Sequence, residues 1–306
     1  MMYDVVIVGG GPSGLQAALS LGRARKRVLL CDAGLRRNAA AERIYNFVTR
    51  DGTPPDDFRL MAREELATYP TVEVQDWHVE SITGARGAFT VAVAGEHVQA
   101  RRILLGTGMI DERPAIPGFA EHWGHSIVQC PYCHGYEHRD QKWGFLVLPQ
   151  AAAHFMMFAL QLRSWTEEVT VFTNGTIDLA DADRAQLQTA GIRVETAKLA
   201  RVEGSDGRIQ SIALEHGLRV PIDLLFAHPP QQQVPLVQAL GLALEDGLVK
   251  VDPMMRVTSV PGIYASGDLT TRMQGAVIAA ASGGQAAAMI NMELTADLVL
   301  AGASSQ

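Results

Sequence analysis

The N-terminal segment carries the pattern that most restricts the fold. Asp4-Val-Val-Ile-Val8 is a short apolar run rich in β-branched residues, which is typical of a buried parallel strand. It is followed by Gly9-Gly-Gly11-Pro-Ser-Gly14, a helical segment from Leu15, a second apolar run and then Asp32. A G-x-G-x-x-G turn between a strand and a helix, with an acidic residue about twenty positions on, predicts a dinucleotide-binding βαβ unit.

Each residue type in this turn has a physical reason. Gly9 permits the tight turn, Gly11 lets a pyrophosphate approach the backbone, and Gly14 lets helix and strand pack closely. The helix N-terminus offers free N–H groups and the positive end of the helix dipole to the phosphates. The Asp32 carboxylate is expected to accept hydrogen bonds from a ribose. The turn alone does not distinguish FAD from NAD.

Two further segments resemble the FAD motifs of two-domain flavoprotein disulfide reductases. Thr258-Ser-Val-Pro-Gly-Ile-Tyr-Ala-Ser-Gly267-Asp268 resembles their second FAD motif, in which the aspartate hydrogen-bonds the ribityl chain. Gln274 and the small-residue run at 275–288 resemble the helix that follows; close helix packing alone explains the small residues but not the preceding Gly-Asp. Leu104-Leu-Gly-Thr107-Gly108 resembles the segment where the chain leaves the flavin domain. Together they imply a discontinuous FAD domain.

The segment Cys130-Pro-Tyr-Cys133-His134 carries the candidate chemistry. A zinc site would need a second ligand pair, and the one other cysteine, Cys31, lies alone at the end of a predicted strand, so no metal is predicted. A structural disulfide is disfavoured in a reducing compartment, and an inert buried pair stays open as an alternative. We interpret the pair as redox-active, because C-x-x-C spacing permits a reversible disulfide and lowers the thiol pKa. His134 is the candidate acid–base, with a structural histidine as the alternative.

From end to end, apart from a short C-terminal tail, the chain resembles the low-molecular-weight thioredoxin reductases. The resemblance implies an α/β fold with two Rossmann-like, three-layer nucleotide-binding domains, the second inserted into the first. The FAD-binding domain is expected at 1–112 and 247–306, and the inserted NADPH-domain-like domain at 113–246. By the same likeness Cys133 faces the flavin and Cys130 exchanges with the substrate. His134 stands where these enzymes usually carry an aspartate.

The resemblance also defines the candidate cofactor residues and the quaternary structure. A homodimer with bound FAD is expected. The candidate FAD-binding residues are Gly9, Gly11, Pro12, Ser13, Gly14, Asp32, Asn46, Gly106, Thr107, Gly108, Gly267, Asp268, Gln274, Gly275 and Ala276.

The inserted domain departs from the family where NADPH would bind. The strand Gly144-Phe-Leu-Val-Leu148 is followed by Pro149, Ala151 and His154, where Gly, Gly and Ala are expected. Proline removes a backbone donor, and the larger side chains occupy space that a pyrophosphate and a packed helix need. Thr173-Asn-Gly175 stands where a basic cluster usually binds the 2′-phosphate. NADPH is therefore not the expected electron donor.

These features favour a substrate dithiol as the electron source and oxygen as the acceptor. Several segments are similar to those of the FAD-dependent dithiol oxidases, the branch that closes disulfides in small natural products such as holomycin, gliotoxin and romidepsin. The segments that carry this resemblance are Asp32–Asn38, Arg50–Pro54, Cys130–Glu137 and His154. One alternative is a reductase of protein disulfides that receives electrons from ferredoxin, flavodoxin or a second flavin. A non-enzymatic alternative is a redox-sensing flavoprotein.

The charge and hydropathy of the chain limit the kinds of partner that it is expected to bind. With 26 Lys and Arg against 33 Asp and Glu, the net charge is −7, and no basic stripe is present, so nucleic-acid binding is not predicted. No signal peptide or membrane-spanning segment is predicted. We expect a cytoplasmic protein whose partner is a dithiol small molecule or a small redox protein.

Overall fold

The computed structural model describes residues 2–303, the last three as backbone only, and these residues form two compact units. The first unit contains the chain up to Arg37, Phe47–Ile110 and the chain from Gln232 on. The second contains Asn38–Asn46 and Asp111–Gln231. The domain limits at 112/113 and 246/247 stay a prediction of the sequence.

Nineteen strands are formed by the described residues. In chain order they are β1 (Met2–Val8), β2 (Val28–Cys31), β3 (Val72–Gln75), β4 (Val79–Ala85), β5 (Ala88–Val93), β6 (Glu96–Leu105), β7 (Ile110–Asp111), β8 (Ile127–Val128), β9 (Trp143–Leu146), β10 (Val169–Phe172), β11 (Arg193–Glu195), β12 (Leu199–Ser205), β13 (Arg208–Leu214), β14 (Arg219–Pro221), β15 (Leu224–Ala227), β16 (Gln231–Gln232), β17 (Leu244–Glu245), β18 (Leu248–Val249) and β19 (Ile263–Ala265).

Eight α-helices and two short 3₁₀ turns connect these strands within the described part of the chain. The helices are α1 (Pro12–Arg23), α2 (Pro55–Leu66), α3 (Phe119–His122), α4 (Pro131–His134), α5 (Phe155–Leu162), α6 (Asp181–Thr189), α7 (Pro235–Ala239) and α8 (Ala276–Ala303). The 3₁₀ turns cover Pro149–Ala151 and Asp268–Thr270. No helix in residues 2–303 is long and apolar enough to cross a membrane.

The first unit is built on a sheet whose strand order is β3-β2-β1-β6-β5-β4, with β19 also paired to β6. β1, β2, β3, β6 and β19 run parallel, and β4 and β5 form an antiparallel extension. Successive side chains of a strand point to opposite faces, and β1 is buried on both. Val5 and Ile7 pack on one face with residues of α1 and α8, and Val6 packs on the other face with Leu29 and Ile103.

The second unit has its own parallel sheet, in the order β11-β10-β9-β15-β8, and a separate antiparallel sheet, β12-β13-β14. The central strands of the parallel sheet, β9, β10 and β15, are short apolar runs with little alternation, as expected for strands covered on both faces. Trp143, Phe145 and Phe226 pack in one cluster against α5. Two units that each carry a parallel sheet with crossover helices confirm the predicted α/β class with two Rossmann-like domains.

Candidate active site

The carboxyl ends of four parallel strands lie side by side in the first unit. Val8 at the end of β1 is in register with Cys31 of β2 and with Leu105 of β6, and Ala265 of β19 is in register with Leu105. Ligands of open parallel sheets bind at this edge. The predicted cofactor segments that follow these strands are therefore brought to one place.

The glycine turn after β1 is built for close approach. Gly9 has φ +112°, and a Cβ added to it would overlap the carbonyl oxygen of Gly106. A Cβ added to Gly14 would overlap the carbonyl oxygen of Gly9, whereas a Cβ added to Gly11 would meet nothing within 4 Å. α1 begins at Pro12, one residue after Gly11. The turn thus leaves open space above Gly11 at a helix N-terminus, which fits a pyrophosphate.

The two predicted flavin motifs meet at Ser13. Its hydroxyl and that of Ser266 are 2.7 Å apart and hydrogen-bonded, and both residues are buried. A Cβ added to Gly267 would lie 3.1 Å from the Cβ of Ser13, and one added to Gly283 of α8 would overlap the Ser13 carbonyl oxygen. Small residues on α8 are therefore needed for the helices to approach, and this contact places Gly267-Asp268 next to the start of α1.

Asp32 lies at the predicted position and is held by arginines. Its carboxylate accepts hydrogen bonds from the Gly34 N–H at 3.0 Å, from Arg59, and from Arg63 at 3.0 Å. Burial alone would raise the pKa of Asp32, but the Gly34 N–H and the two guanidinium groups lower it below its usual range. Asp32 is thus kept ionised. The sequence analysis missed Arg59 and Arg63, although their i, i+4 spacing on α2 was a usable signal.

Asp268 and Gln274 are joined by a residue that the motifs did not indicate. Arg37 Nη1 donates to Asp268 Oδ2 at 2.9 Å and to Gln274 Oε1 at 2.6 Å. Gln274 Nε2 also donates to the Asp268 carbonyl oxygen at 3.2 Å.

The remaining predicted cofactor residues lie as follows. Thr107 and Gly108 follow β6, Gly275 precedes α8 with nothing within 4 Å of an added Cβ, and Ala276 begins that helix. Asn46, with φ +58°, lies in the segment Asn38–Asn46, which belongs to the second unit.

The two predicted redox cysteines form a disulfide in the second unit. Cys130 and Cys133 are bonded, with Cα atoms 5.3 Å apart. Cys130 is the N-cap of α4 and has extended backbone angles, and Pro131 opens the helix. The fixed φ of proline suits the first helical position, so this residue helps to set the turn that brings the cysteines together. A helix N-terminus also favours a thiolate after reduction.

Two tryptophans form the support of this short helix. A Cβ added to Gly135, directly after α4, would overlap the Pro131 carbonyl oxygen and would lie 3.0 Å from Trp143 and 3.2 Å from Trp165. The Tyr132 ring packs edge to face on Trp165, with centroids 5.3 Å apart, and its hydroxyl accepts a hydrogen bond from Gln161 at 3.1 Å. Tyr132, one of the two residues between the cysteines, is therefore fixed by two contacts although it is 59 % exposed.

His134 is neutral in this environment. The pKa of His134 is lowered to about 4, mainly by burial and to a smaller extent by the like charge of His138, while the backbone of Cys130 opposes the shift. Its Nδ1 is buried and makes no hydrogen bond within residues 2–303. A neutral imidazole with an unoccupied nitrogen is suited to take up a proton when a negative charge forms beside it.

The third cysteine has different chemistry. Cys31 is buried at the end of β2, and burial, with the nearby charge of Glu73, raises its pKa to about 12. It stays a thiol near neutral pH and packs as a small apolar residue. No cluster of three or more potential metal-ligating side chains occurs in the part of the chain that the structure describes.

The turn after β9 differs from the turn after β1. α1 begins four residues after the last residue of β1, whereas β9 ends at Leu146 and α5 begins only at Phe155. Between them lies the 3₁₀ turn Pro149–Ala151. Within the second unit, Gln150 of this turn donates a hydrogen bond to the carbonyl oxygen of His228. The helix N-terminus is therefore not placed at the strand end, where a pyrophosphate would need it.

Aromatic packing fills the space behind this turn. The Phe158 ring lies 4.7 Å from that of Phe145 and 4.5 Å from that of His228, measured between centroids. His228 in turn contacts the Gln129 carbonyl oxygen at 2.9 Å. Lys198 packs its stem on Gly175 in the next loop, but residues 173–176 themselves carry no lysine or arginine.

Two nucleotide-binding folds and a C-x-x-C disulfide define an oxidoreductase of the thiol–disulfide class. The family model described as pyridine nucleotide-disulphide oxidoreductase matches residues 3–283, and the chain belongs to this family. The thioredoxin reductase-like members of the family are typically flavin-dependent. The predicted membership and the assignment as a disulfide oxidoreductase are thereby confirmed.

Individual relatives match over nearly the whole chain. The thioredoxin reductase tcpT of Claviceps purpurea is 33 % identical over 97 % of this chain and 96 % of its own length. The crystal structure of HlmI is 35 % identical with a TM-score of 0.89, covering 99 % of this chain and 96 % of that one. An oxidoreductase from Agrobacterium tumefaciens is also 35 % identical with a TM-score of 0.89, covering 96 % and 99 %.

Proposed function

We propose that the protein oxidises a dithiol substrate to a disulfide through Cys130 and Cys133, with bound FAD passing the electrons to oxygen. The observation that carries the proposal is the pairing of a C-x-x-C disulfide with a nucleotide turn that lacks the glycines and the helix start needed for NADPH. In this proposal the electrons enter from the substrate thiols instead of from NADPH.

FAD would be held by the residues at the carboxyl edge of the first unit. The open turn at Gly11 and the N-terminus of α1 would take the pyrophosphate, Asp32 the ribose, and Asp268 the ribityl chain. Bound FAD would accept an electron pair from the reduced dithiol and transfer it to molecular oxygen, giving hydrogen peroxide.

The protein's own sulfur atoms carry the first half of the reaction. A substrate thiolate attacks the Cys130 sulfur, an S–S bond to the substrate forms, and the Cys130–Cys133 bond breaks with Cys133 leaving as a thiolate. The second substrate thiol loses its proton and attacks the substrate sulfur of this mixed disulfide. Cys130 leaves as a thiolate, so the substrate has lost two electrons and two protons and the protein dithiol has gained two electrons.

His134 is the proton acceptor in these reaction steps. It is neutral while the disulfide is closed, because burial lowers its pKa to about 4. A thiolate formed at Cys133, the preceding residue, raises the proton affinity of the ring by charge attraction. The base thus gains strength at the step in which the second substrate thiol must be deprotonated.

The expected partner is a small dithiol molecule, with a small redox protein as the alternative, and the expected assembly is a homodimer. Thioredoxin reductases are among the relatives, which favours reduction of a protein disulfide as the second candidate function. In that case ferredoxin, flavodoxin or a second flavin would supply electrons. Anaerobic reduction by ferredoxin, with slow oxygen consumption on dithiols, would identify this direction.

The test compares Cys130→Ser, Cys133→Ser and wild type as purified yellow proteins. Oxygen consumption with dithiothreitol is expected to fall by at least about a hundredfold in each variant, because neither can form the disulfide, while the flavin content stays unchanged. Cys31→Ser is the matched control and is expected to keep its activity. If the double variant Cys130→Ser/Cys133→Ser oxidises dithiols at the wild-type rate, the proposal is refuted.

A further inference from the structure

The Arg37 side chain connects two of the segments that the proposed cofactor site uses. It comes from the loop after β2, Asp268 follows β19, and Gln274 lies just before α8. One nitrogen, Nη1, reaches the Asp268 carboxylate at 2.9 Å and the Gln274 side-chain oxygen at 2.6 Å. The Arg37 and Asp268 side chains are only 21 % and 22 % exposed, so this ion pair is shielded from most of the solvent.

The position of Asp268 creates an electrostatic problem for a diphosphate ligand. Ser13, in the first turn of α1, is hydrogen-bonded to Ser266, and Gly267 packs on Ser13. Asp268, the residue after Gly267, is therefore held close to the first turn of α1, where the proposed phosphate cradle begins. Two like charges in a partly buried site repel more strongly than they do in water. A cation beside Asp268 is needed to offset this repulsion.

We infer that Arg37 is a positioning residue for the cofactor: it is the counter-charge of Asp268 that permits the diphosphate of FAD to bind, and it holds Asp268 and Gln274 in place. The inference rests on the proposed use of FAD. It adds a residue from outside the glycine and Gly-Asp motifs, and it assigns that residue an electrostatic function that acts through Asp268.

The neighbouring residue provides a matched control. Arg36 pairs with Asp56 at 2.6 Å, but the Asp56 side chain is 72 % exposed and approaches the arginines around Asp32 only at 4.0 Å, through Arg59. Arg36→Gln removes the same charge one position away, and hence reports the effect of lost net charge alone.

The experiment measures FAD dissociation from the full-length holoprotein, by the recovery of flavin fluorescence on dilution. Arg37→Gln is expected to weaken FAD binding at least about tenfold, and Arg36→Gln less than about twofold. Arg37→Lys keeps the charge and is expected to remain within about threefold of wild type. The double variant Arg37→Gln/Asp268→Asn is expected to bind FAD at least about fivefold more tightly than the product of the two single effects, because removal of the carboxylate removes the need for the cation.

Wild-type FAD affinity in Arg37→Gln, or strictly multiplicative effects in the double variant, would overturn the inference. If Arg37→Gln does not fold, Arg37→Lys decides alone, since a tenfold loss with the charge retained would exclude a counter-charge role. All readouts concern FAD binding and none requires turnover. A failure of dithiol oxidation in the cysteine experiment therefore leaves this result standing, and the reverse also holds.

Discussion

Gly14 lies so close to Gly9 that a Cβ on Gly14 would overlap the Gly9 carbonyl oxygen. The first turn of α1 thus contacts the backbone of the glycine turn with no room for a side chain. A Cβ on Gly11, two residues from Gly9, would meet nothing within 4 Å, and its φ of −77° is accessible to alanine. The two glycines are therefore expected to respond differently to the same substitution.

We predict that Gly14→Ala destabilises the FAD-free protein by about 2 kcal/mol, because backbone atoms must shift to accept the methyl group. Gly11→Ala should leave the stability of the FAD-free protein within about 0.5 kcal/mol and still weaken FAD binding, since its methyl enters the open space above the turn. Urea unfolding and flavin content measure the two effects. Unchanged flavin content in Gly11→Ala would show that the cofactor does not use this space.

The pH dependence of stability should report the buried state of His134. The pKa is about 4 in the folded protein against an ordinary 6.5, so between these values the unfolded chain binds the extra proton. Stability is therefore fully present above about pH 6.5 and is lost as the pH falls towards 4, by at most about 3 kcal/mol. The difference between wild type and His134→Asn in urea unfolding, with the disulfide intact, isolates this contribution.

His154→Asn is the control for that series, because His154 is exposed in the same unit. Its pH profile is expected to follow the wild type. Equal acid sensitivity of wild type and His134→Asn would contradict the neutral, partly buried histidine on which the proposed proton transfer depends.

A buried arginine fixes the C-terminal helix of the first unit. The Arg102 side chain is 1 % exposed and pairs with Asp297 and with Glu293, the latter at 3.2 Å. Arg102→Met is expected to lower the free energy of unfolding by about 3 kcal/mol, because Glu293 loses its buried partner. Arg86 contacts the same two acids but is 46 % exposed, so Arg86→Met should cost less than about 1 kcal/mol. Equal losses in the two variants would contradict this assignment of burial.

The support of the dithiol helix can be tested at Gly135. A methyl there would overlap the Pro131 carbonyl oxygen and lie 3.0 Å from Trp143 and 3.2 Å from Trp165, so Gly135→Ala should displace α4 or the indole rings. We expect at least about a tenfold loss of dithiol oxidation and a changed tryptophan fluorescence. Flavin content is the internal control, since Gly135 lies in the second unit. Wild-type turnover in this variant would show that the close packing around Gly135 does not position the disulfide.

Local spacing accounts for what could be predicted from the sequence. Gly9, Gly14 and Asp32 were assignable because a strand, a tight turn and a helix fix their relative positions. The C-x-x-C pair was assignable because four residues of one turn define it. The N-terminal βαβ unit followed from an apolar run, a glycine turn and a helical segment, whereas the two-domain α/β fold followed from the family resemblance that the motifs carry.

Tertiary packing accounts for what could not be predicted. Arg37 and Asp268 are hydrogen-bonded although they are 231 positions apart in the sequence, and no local sequence pattern predicts such a contact. Pro149 signalled a broken nucleotide turn, but neither the start of α5 at Phe155 nor the packing of Phe158 on Phe145 and His228 could be predicted from local spacing. The sequence placed His134 beside Cys133, whereas its low pKa is a result of burial.

The central claim is that electrons enter from thiols and not from a pyridine nucleotide. Stopped-flow absorbance of the bound flavin tests it most directly, with the oxidised protein mixed under argon with NADPH or with dithiothreitol, and the reduced protein then mixed with oxygen. We predict bleaching by dithiothreitol, none by micromolar NADPH, and rapid recovery of the yellow colour with oxygen. Fast bleaching by micromolar NADPH would contradict the account.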